Sequence, residues 1–382
     1  MNVPAGDWGG RFGWSLTDAA AQAALVRWRA QMASLRAVYD NDGLFDWGDP
    51  EGDGPDLLHR MVDQYADAGA RALVWGCGNN LAWSYVPRAQ EAWCDRVPQT
   101  EENLVHLAAR QRAWLERGTS PLDAVMARAQ ERGLPVLAGF RLNRFFARFG
   151  VDSWWTANPH VALSAASCPL HPNQQSANLA LPEVRQHFVE GSLDVVERYA
   201  VAGLHLEFMR AIPFFERDEP DKAAHMLAFL RALRQGLDRL GQARGRRLEL
   251  SIWSGTEANY RVIRQGLFDP DFMRLEFHGI DPGAWIREGL VDRLILSCWS
   301  GPRGRRGQPV DLAPYKAMAR GTGTLILGEV DNVTDVPEPE GLREAEQVIR
   351  STAAAADGVF LFNTQPYDLA LLLEGAQSEA RP

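Results

Sequence analysis

The chain has 382 residues, a formal net charge of −9 and a hydrophobic fraction of 46%. The acidic balance argues against a nucleic-acid partner or an anionic membrane surface, because both select a basic face. Lysine occurs only at Lys222 and Lys316, and both positions lie in helix-like segments. Schiff-base aldolases and pyridoxal enzymes need a lysine at a strand end, so these enzyme classes are excluded.

Cysteine usage and hydropathy place the chain among globular proteins of a reducing compartment. The four cysteines form no CxxC pair, so we expect free thiols and no disulfide framework or zinc site. Residues 1–20 lack the basic and apolar regions of a signal peptide, and no run approaches the ~20 apolar residues of a membrane span. We expect a cytoplasmic protein without a cofactor or bound metal, and secretion only if a leader precedes this sequence.

Short apolar runs alternate with helical patterns along the chain, with long loops after the second and third runs. The residues before the first run predict a helix from Asp18 to Met32. Eight runs predict strands at 35–39, 70–75, 135–140, 204–208, 248–253, 291–296, 323–327 and 359–362.

This alternation predicts an α/β protein with a single (β/α)8 TIM barrel. An open doubly wound sheet is the structural alternative, and the lack of a GxGxxG after the first strand weakens it. We assign residues 1–34 to an N-terminal extension and helix, 35–372 to the barrel and 373–382 to a C-terminal tail.

Two glutamates stand at predicted strand ends, where the side chains of a barrel converge on one mouth. Glu207 ends the fourth strand, with His205 on the same face, and Glu329 follows the seventh. Two carboxylates flanking a glycosidic bond are the minimum for its hydrolysis, so Glu207 and Glu329 are predicted to be catalytic. The residues predicted to bind substrate are Asn41, Asp42, Trp75, Asn79, Arg141, Asn143, His205, Arg210, Trp253, Trp299 and Asn363.

Each part of this prediction has a structural alternative. Glu207 could instead form a salt bridge with Arg210 or Arg141, and Glu329 could be a surface loop residue. Tryptophan rings suit the CH faces of sugars, and the chain has 13 of them, but a tryptophan can equally fill the core. The carbohydrate interpretation predicts that Trp253 and Trp299 expose at least one ring face to a cleft.

Several motifs resemble those of one protein family. The runs LPEVR at 181–185 and YAVAGLHLEFMR at 199–210 resemble the pevR and YdvDGihLDfmR motifs of the family 10-like glycosyl hydrolases. NDG at 41–43, RLN at 141–143 and the ID…WIREGLVD run at 280–292 resemble further motifs of this group. The resemblance spans about residues 36–363 and implies a barrel that acts on a carbohydrate. Glu207 stands where the family has Asp, and the segment 257–279 is enlarged.

Glutamates on strands four and seven also resemble the arrangement in retaining barrel glycosidases. That resemblance implies Glu207 as general acid/base and Glu329 as nucleophile. The apolar neighbours Leu206 and Phe208 predict that Glu207 holds its proton to higher pH. Two alternatives stay open. One is a carbohydrate-binding barrel without activity. The other is a metal-dependent sugar isomerase, epimerase or lyase, with ligands drawn from Glu207, His205, His278, Asp281 and Glu329.

Overall fold

The computed structural model describes most of the chain. The described residues are 19–43, 48, 50–79, 81–88, 91–97, 102–141, 144–146, 153–167, 174–209, 213–256, 274–297, 310–331, 339–362 and 364–378.

The strands and helices alternate as the sequence predicts. The strands within the described residues are β1 (Val38–Asn41), β2 (Ala72–Asn79), β3 (Leu81–Ala82), β4 (Val136–Phe140), β5 (Arg144–Phe146), β6 (Gln174–Ser176), β7 (Gly203–Glu207), β8 (Glu249–Ser254), β9 (Arg293–Ser297), β10 (Leu325–Asp331) and β11 (Gly358–Phe362). The helices are α1 (Ala19–Ser34), α2 (Gly54–Asp67), α3 (Glu102–Glu116), α4 (Pro121–Arg132), α5 (Ser153–Ala157), α6 (Pro182–Arg198), α7 (Lys222–Ala243), α8 (Pro282–Arg287), α9 (Ala313–Ala319), α10 (Pro339–Ala355) and α11 (Pro366–Ser378).

Eight parallel strands close into a barrel in the order β1-β2-β4-β7-β8-β9-β10-β11. β1 pairs with β11 on one side and with β2 on the other, which leaves no open edge. The predicted single (β/α)8 barrel is therefore confirmed. β3 forms a short hairpin with β2, and β5 pairs with β6 in the loop after β4; the sequence analysis predicted neither.

Side-chain alternation along the strands creates two separate cores. An inner cluster fills the barrel and includes Val38, Trp253, Ile295 and Phe360. A larger cluster lies between the barrel and its helices and takes the alternate residues, such as Leu206 on β7. Whether a strand residue can reach the barrel mouth therefore depends on its parity along the strand.

Capping residues fix both ends of α4. Ser120 caps α4 through the Asp123 backbone N–H, and the Asp123 carboxylate accepts from the Ser120 backbone N–H at 2.7 Å. Pro121 occupies the first turn, and Gly133 ends the helix in the left-handed conformation at φ 63°. These local contacts set both ends of α4.

The first and the last helix of the described region pack against each other outside the barrel. α1 packs against α11, and the Arg27 guanidinium forms an ion pair with Glu374. α11 runs to Ser378 and carries apolar side chains into the helix-facing core, among them Leu369 and Leu373. None of the helices in the described ranges combines the length and the apolar run that crossing a membrane requires.

Candidate active site

Glu207 and Glu329 lie at the same end of the barrel and face its interior. Glu207 is the last residue of β7, and Glu329 is the third residue from the end of β10. The order β7-β8-β9-β10 puts the two strands nearly opposite each other in an eight-stranded barrel. Leu327, two residues before Glu329, belongs to the inner cluster. His205, two residues before Glu207, stacks on Phe360 of the same cluster. The two glutamates are 5% and 1% exposed.

An arginine joins the first of these glutamates to an aspartate. Arg141 follows β4, and its Nε donates to Glu207 Oε2 while its Nη2 donates to Asp42 Oδ1. Burial alone would lower the pKa of Arg141, but the charges of Asp42 and Glu207 raise it above the ordinary value. The site therefore holds a permanent cation between two carboxylates. Of the two salt-bridge partners that the sequence offered for Glu207, the structure shows Arg141.

A buried loop fixes the backbone around Asp42. The Asp42 carbonyl accepts a hydrogen bond from Trp83 Nε1 at 3.3 Å, and the Ser84 hydroxyl lies 3.4 Å from the Gly43 carbonyl and 2.7 Å from that of Gly76. Gln111 on α3 anchors this loop by donating to the Trp83 carbonyl at 2.7 Å. The long loop after β2 thus supports the Asp42 carboxylate that holds Arg141.

Ser297 is a partner that the sequence analysis missed. It is the last residue of β9 and lies opposite Glu329 in the register of β9 and β10. The Ser297 hydroxyl donates to Glu329 Oε2 at 2.7 Å in a fully buried setting. Ser297 lies two residues after the inward-facing Ile295, so alternation along the strand could have shown that Ser297 also faces inward. Only the register of β9 and β10 shows that its partner is Glu329.

β1 contributes the acidic Asp40 to the interior, whereas the residues predicted to bind substrate after this strand were Asn41 and Asp42. Asp40 shares the inward face with Val38, and its charge contributes to the raised pKa of Arg141. Asn41 turns outward, where its Nδ2 donates to Tyr65 Oη at 3.3 Å and its Oδ1 accepts from the Gly43 N–H. The prediction that Asn41 contacts substrate is therefore wrong, because parity places it on the helix side.

Two tryptophans do not occupy the predicted surface of the cleft. Trp75 packs in the helix-facing core and donates from Nε1 to Ser84 Oγ at 3.2 Å. Trp253 lies inside the barrel, 2% exposed, with ring centroids 5.2 Å from Phe360 and 4.9 Å from Phe362. The prediction of an exposed Trp253 ring face is wrong, and so is the placement of Trp75 at the mouth. Both tryptophans therefore pack in a core of the protein and do not line a cleft.

His205 supports the barrel interior from the layer below Glu207. Its Nδ1 lies 3.0 Å from Ser251 Oγ, and its ring stacks on Phe360 at 5.4 Å. Burial, with a smaller contribution from the charge of Arg293, lowers the pKa of His205 to about 3. His205 is therefore neutral and acts in packing, which does not support its predicted contact with substrate.

The remaining predictions lie partly beyond the described residues. Asn79 is described through its backbone alone, at the end of β2. The predicted contacts of Asn143, Arg210, Trp299 and Asn363 fall outside the described ranges and stay predictions.

Two ligands of the metal-dependent alternative lie outside the barrel. The Asp281 carboxylate caps α8 by accepting the Ala284 N–H at 2.9 Å, and His278 lies in a 3-10 turn that packs on α7. Among the residues that the structure describes, no three His, Cys, Asp or Glu side chains are grouped as a metal site. The described residues at the mouth include several acidic side chains, and Arg141 forms ion pairs with two of them, Asp42 and Glu207.

Comparison with known proteins identifies the fold. No family model matches the chain, and no curated protein sequence matches it either. Among solved structures, a maltogenic α-amylase, AmyB from Thermotoga neapolitana, is similar, with a TM-score of 0.51 and 13% identity over 88% of this chain and 69% of the other.

Two further structures match less closely. An α-L-fucosidase from Paenibacillus thiaminolyticus has a TM-score of 0.47 and 15% identity over 91% of this chain and 49% of the other. A family 18 N-acetylglucosaminidase from Paenibacillus barengoltzii has a TM-score of 0.41 and 14% identity over 89% and 99%. The resemblance to the family 10-like group stays a prediction. The likeness to the amylase supports the (β/α)8 barrel fold.

Proposed function

We propose that the protein is a retaining glycoside hydrolase that cleaves an oligo- or polysaccharide, with Glu207 and Glu329 as its two catalytic carboxyl groups. The observation that carries the proposal is the inward placement of both glutamates at the carboxyl end of the barrel, nearly opposite each other. Active sites of this fold lie at that end, and glycosidic hydrolysis requires a pair of carboxyl groups on either side of the bond.

The energetic cost of the site supports a functional role. A carboxyl group removed from water destabilises the fold unless a partner compensates it. Here Glu207 and Glu329 are both buried and Asp42 shares the cation of Glu207. Such concentrations of ionisable groups in a barrel mouth are typical of catalytic sites.

The test is turnover by the full chain. The protein is incubated with a panel of aryl glycosides and polysaccharides, with and without a chelator, and released phenol or reducing sugar is measured. We expect hydrolysis that survives chelation, and a loss of about 10³-fold in Glu207→Gln and Glu329→Gln. Glu249→Gln is the matched control, because Glu249 is also paired with an arginine but begins β8 at the other end of the barrel.

The outcomes separate the alternatives. Activity lost on chelation would instead support the metal-dependent isomerase or lyase. Calorimetric binding of a sugar without any product would support a barrel that only binds carbohydrate. Wild-type rates in both glutamine variants would remove Glu207 and Glu329 from the mechanism.

A further inference from the structure

The side chain of Asn41 holds the turn that places Asp42 at the barrel mouth. Asn41 Oδ1 accepts a hydrogen bond from the Gly43 backbone N–H at 2.9 Å, two residues further along the chain. An asparagine that binds the backbone in this way forms an Asx turn, which fixes the course of the chain across the intervening residue. That residue is Asp42, whose carboxylate pairs with Arg141. The outward-facing Asn41 is therefore connected to the candidate site through Asp42.

The Asn41 side chain is itself held by Tyr65 on α2. Asn41 Nδ2 donates to the Tyr65 hydroxyl at 3.3 Å, and that hydroxyl donates to Gln365 Oε1 at 2.9 Å. Tyr65 is completely removed from water, and burial is the main cause that raises the pKa of its hydroxyl above the ordinary value. The hydroxyl therefore keeps its proton at neutral pH. It can accept from Asn41 and donate to Gln365 at the same time.

Gln365 belongs to a second segment at the carboxyl end of the barrel. It follows β11, which pairs with β1, and its backbone carbonyl accepts the Leu369 N–H at 3.0 Å in the first turn of α11. Among the described residues, the backbone pairing of these two strands ends with Asp40 opposite Phe362. Beyond that point the Tyr65 hydroxyl connects the segment that follows β1 with the segment that follows β11.

A neighbouring tyrosine has the same burial but a different hydroxyl environment. Tyr39 on β1 is as fully buried as Tyr65, and the two ring centroids lie 5.3 Å apart. The Tyr39 hydroxyl has no hydrogen-bond partner among the described residues, whereas the Tyr65 hydroxyl has two. Both rings fill the helix-facing core. The two residues therefore share a packing role and differ in the hydrogen bonds of the hydroxyl.

We propose that Tyr65 is a positioning residue for the candidate active site. Its hydroxyl fixes the Asn41 side chain, and the turn that Asn41 makes fixes Asp42. The Asp42 carboxylate in turn holds the Arg141 guanidinium in contact with Glu207. This inference rests on the proposed function and holds whichever of the two glutamates carries the proton. Because the chain of contacts ends on a catalytic carboxyl group, its loss should lower kcat more than it raises KM.

Two variants that each remove one buried hydroxyl test the proposal. Tyr65→Phe and Tyr39→Phe both keep the ring, and both are assayed with the aryl glycoside that the wild type hydrolyses. We expect kcat/KM of Tyr65→Phe to fall about 10-fold, mostly through kcat, because a small displacement of the site slows the reaction. Tyr39→Phe should stay within about twofold of the wild type, because it removes a hydroxyl without a described partner. Thermal melts confirm that both variants fold, and equal kcat/KM in the two would overturn the proposal.

A double-mutant cycle shows whether Tyr65 acts through Asn41. Asn41→Ala should lower kcat/KM at least as much as Tyr65→Phe, because it removes the turn itself. The double variant should then be no slower than Asn41→Ala, since both changes interrupt one chain of contacts. A purely structural effect would lower the melting temperature without such coupling in kcat/KM, and losses that multiply in the double variant would overturn the proposed route.

Hydrogen exchange tests the turn without any measurement of activity. The Gly43 amide, followed by mass spectrometry on the shortest peptide that contains it, should exchange about 10-fold faster in Tyr65→Phe than in the wild type. In Tyr39→Phe its exchange should be unchanged. Equal protection of this amide in Tyr65→Phe and in the wild type would overturn the inference. A wild type that hydrolyses no glycoside would overturn the proposed function, whereas the exchange result decides separately whether Tyr65 holds the turn.

Discussion

The two ends of the barrel each hold an arginine paired with a glutamate, and they use the pair differently. At the amino end Arg293 begins β9 and pairs with Glu249, which begins β8, at 2.7 Å. At the carboxyl end Arg141 pairs with Glu207 and also with Asp42. Among the described residues, Arg293 forms an ion pair with one carboxylate, whereas Arg141 forms ion pairs with two.

The difference shows where the fold accepts an energetic cost. The amino-end pair keeps the Glu249 side chain 30% exposed, so the desolvation that its ion pair must compensate is small. At the carboxyl end Asp40 adds a further acidic group to the two that pair with Arg141. Excess charge of one sign opposes folding, so its retention at one end is better explained by chemistry than by stability. The amino-end pair is, on this view, a structural closure of the barrel.

The largest expected effect compares the two arginines directly. Arg141→Met leaves two carboxylates without their cation, so we expect a loss of about 3–5 kcal/mol in the free energy of unfolding. The kcat/KM should fall about 100-fold because Glu207 loses its positioning contact. Arg293→Met should also reduce stability but keep kcat/KM within about threefold of wild type, because it acts away from the reacting atoms. Urea unfolding and steady-state kinetics measure the two effects, and an equal loss of kcat/KM in both variants would remove the distinction between the ends.

The next largest expected effect concerns the backbone that holds Asp42 in place. Gly43 has a φ of 65°, and a Cβ there would lie 2.0 Å from the Gly76 carbonyl oxygen. Gly133 has nearly the same φ, 63°, with nothing within 4 Å of such a Cβ. Both glycine-to-alanine variants pay about 1–2 kcal/mol for the left-handed conformation, but only Gly43→Ala must also move the backbone beside Asp42. We expect Gly43→Ala alone to lose activity, measured as kcat/KM after thermal melts have confirmed folding. Equal kcat/KM in the two variants would show that Asp42 does not need this close approach.

The sequence predicts the barrel well because strand and helix periodicities are local properties. The same alternation identifies Glu207 as an inward residue, and β7 matches its predicted position within one residue. Where a predicted strand ended too early, the residues near its true end were assigned to the wrong face. β1 ends at Asn41 instead of residue 39, so Asp40 faces inward within the strand and Asn41 faces outward. β2 continues to Asn79, which leaves Trp75 in mid-strand on the helix side.

Contacts between distant strands were beyond the sequence patterns. Ser297 and Glu329 are 32 residues apart and meet only through the register of β9 and β10. Arg141 and Arg210 were both candidates for Glu207. The fold shows the contact of Arg141, and Arg210 lies outside the described residues. The predicted apolar shielding of Glu207 by its chain neighbours was wrong for a different reason. Neighbours on a strand point to opposite faces, so Leu206 could have been ruled out by parity alone.

A pH effect extends the comparison to a carboxyl group in the helix layer. Burial raises the pKa of Asp368, at the start of α11, from 3.8 to about 7. The folded state therefore favours the neutral acid: the stabilisation is complete below about pH 4 and is lost as the pH rises through 7. We expect Asp368→Asn to raise the melting temperature at pH 8, by an amount that corresponds to at most about 4 kcal/mol, and to have little effect near pH 4.

Asp357 is the matched control with the opposite sign. Although burial raises the pKa of Asp357, Lys316 and the Ile326 N–H lower it below the ordinary value. Its stabilisation is therefore present above the unfolded pKa and lost as the pH falls through the folded pKa. Asp357→Asn should lower the melting temperature at pH 8 and change it less in acid. Parallel pH profiles for the two asparagine variants would contradict the role of charge pairing.

The smallest expected effect on turnover concerns Trp253, next to Glu207 in the register of β7 and β8. Its indole Nε1 is buried and has no hydrogen-bond partner among the described residues, and its ring packs on Phe360 and Phe362. Trp253→Phe removes this unsatisfied donor and some volume, two changes that oppose each other, so the free energy of unfolding should change by less than about 1.5 kcal/mol. Trp253→Ala should cost about 3–5 kcal/mol, because it leaves a cavity in the inner core. A packing residue contributes no binding energy to the substrate, so kcat/KM of Trp253→Phe should stay within about threefold of wild type. A KM raised about 100-fold by the phenylalanine would instead mean that the ring or its N–H reaches the sugar, and that the substrate site extends into the inner core beside Glu207.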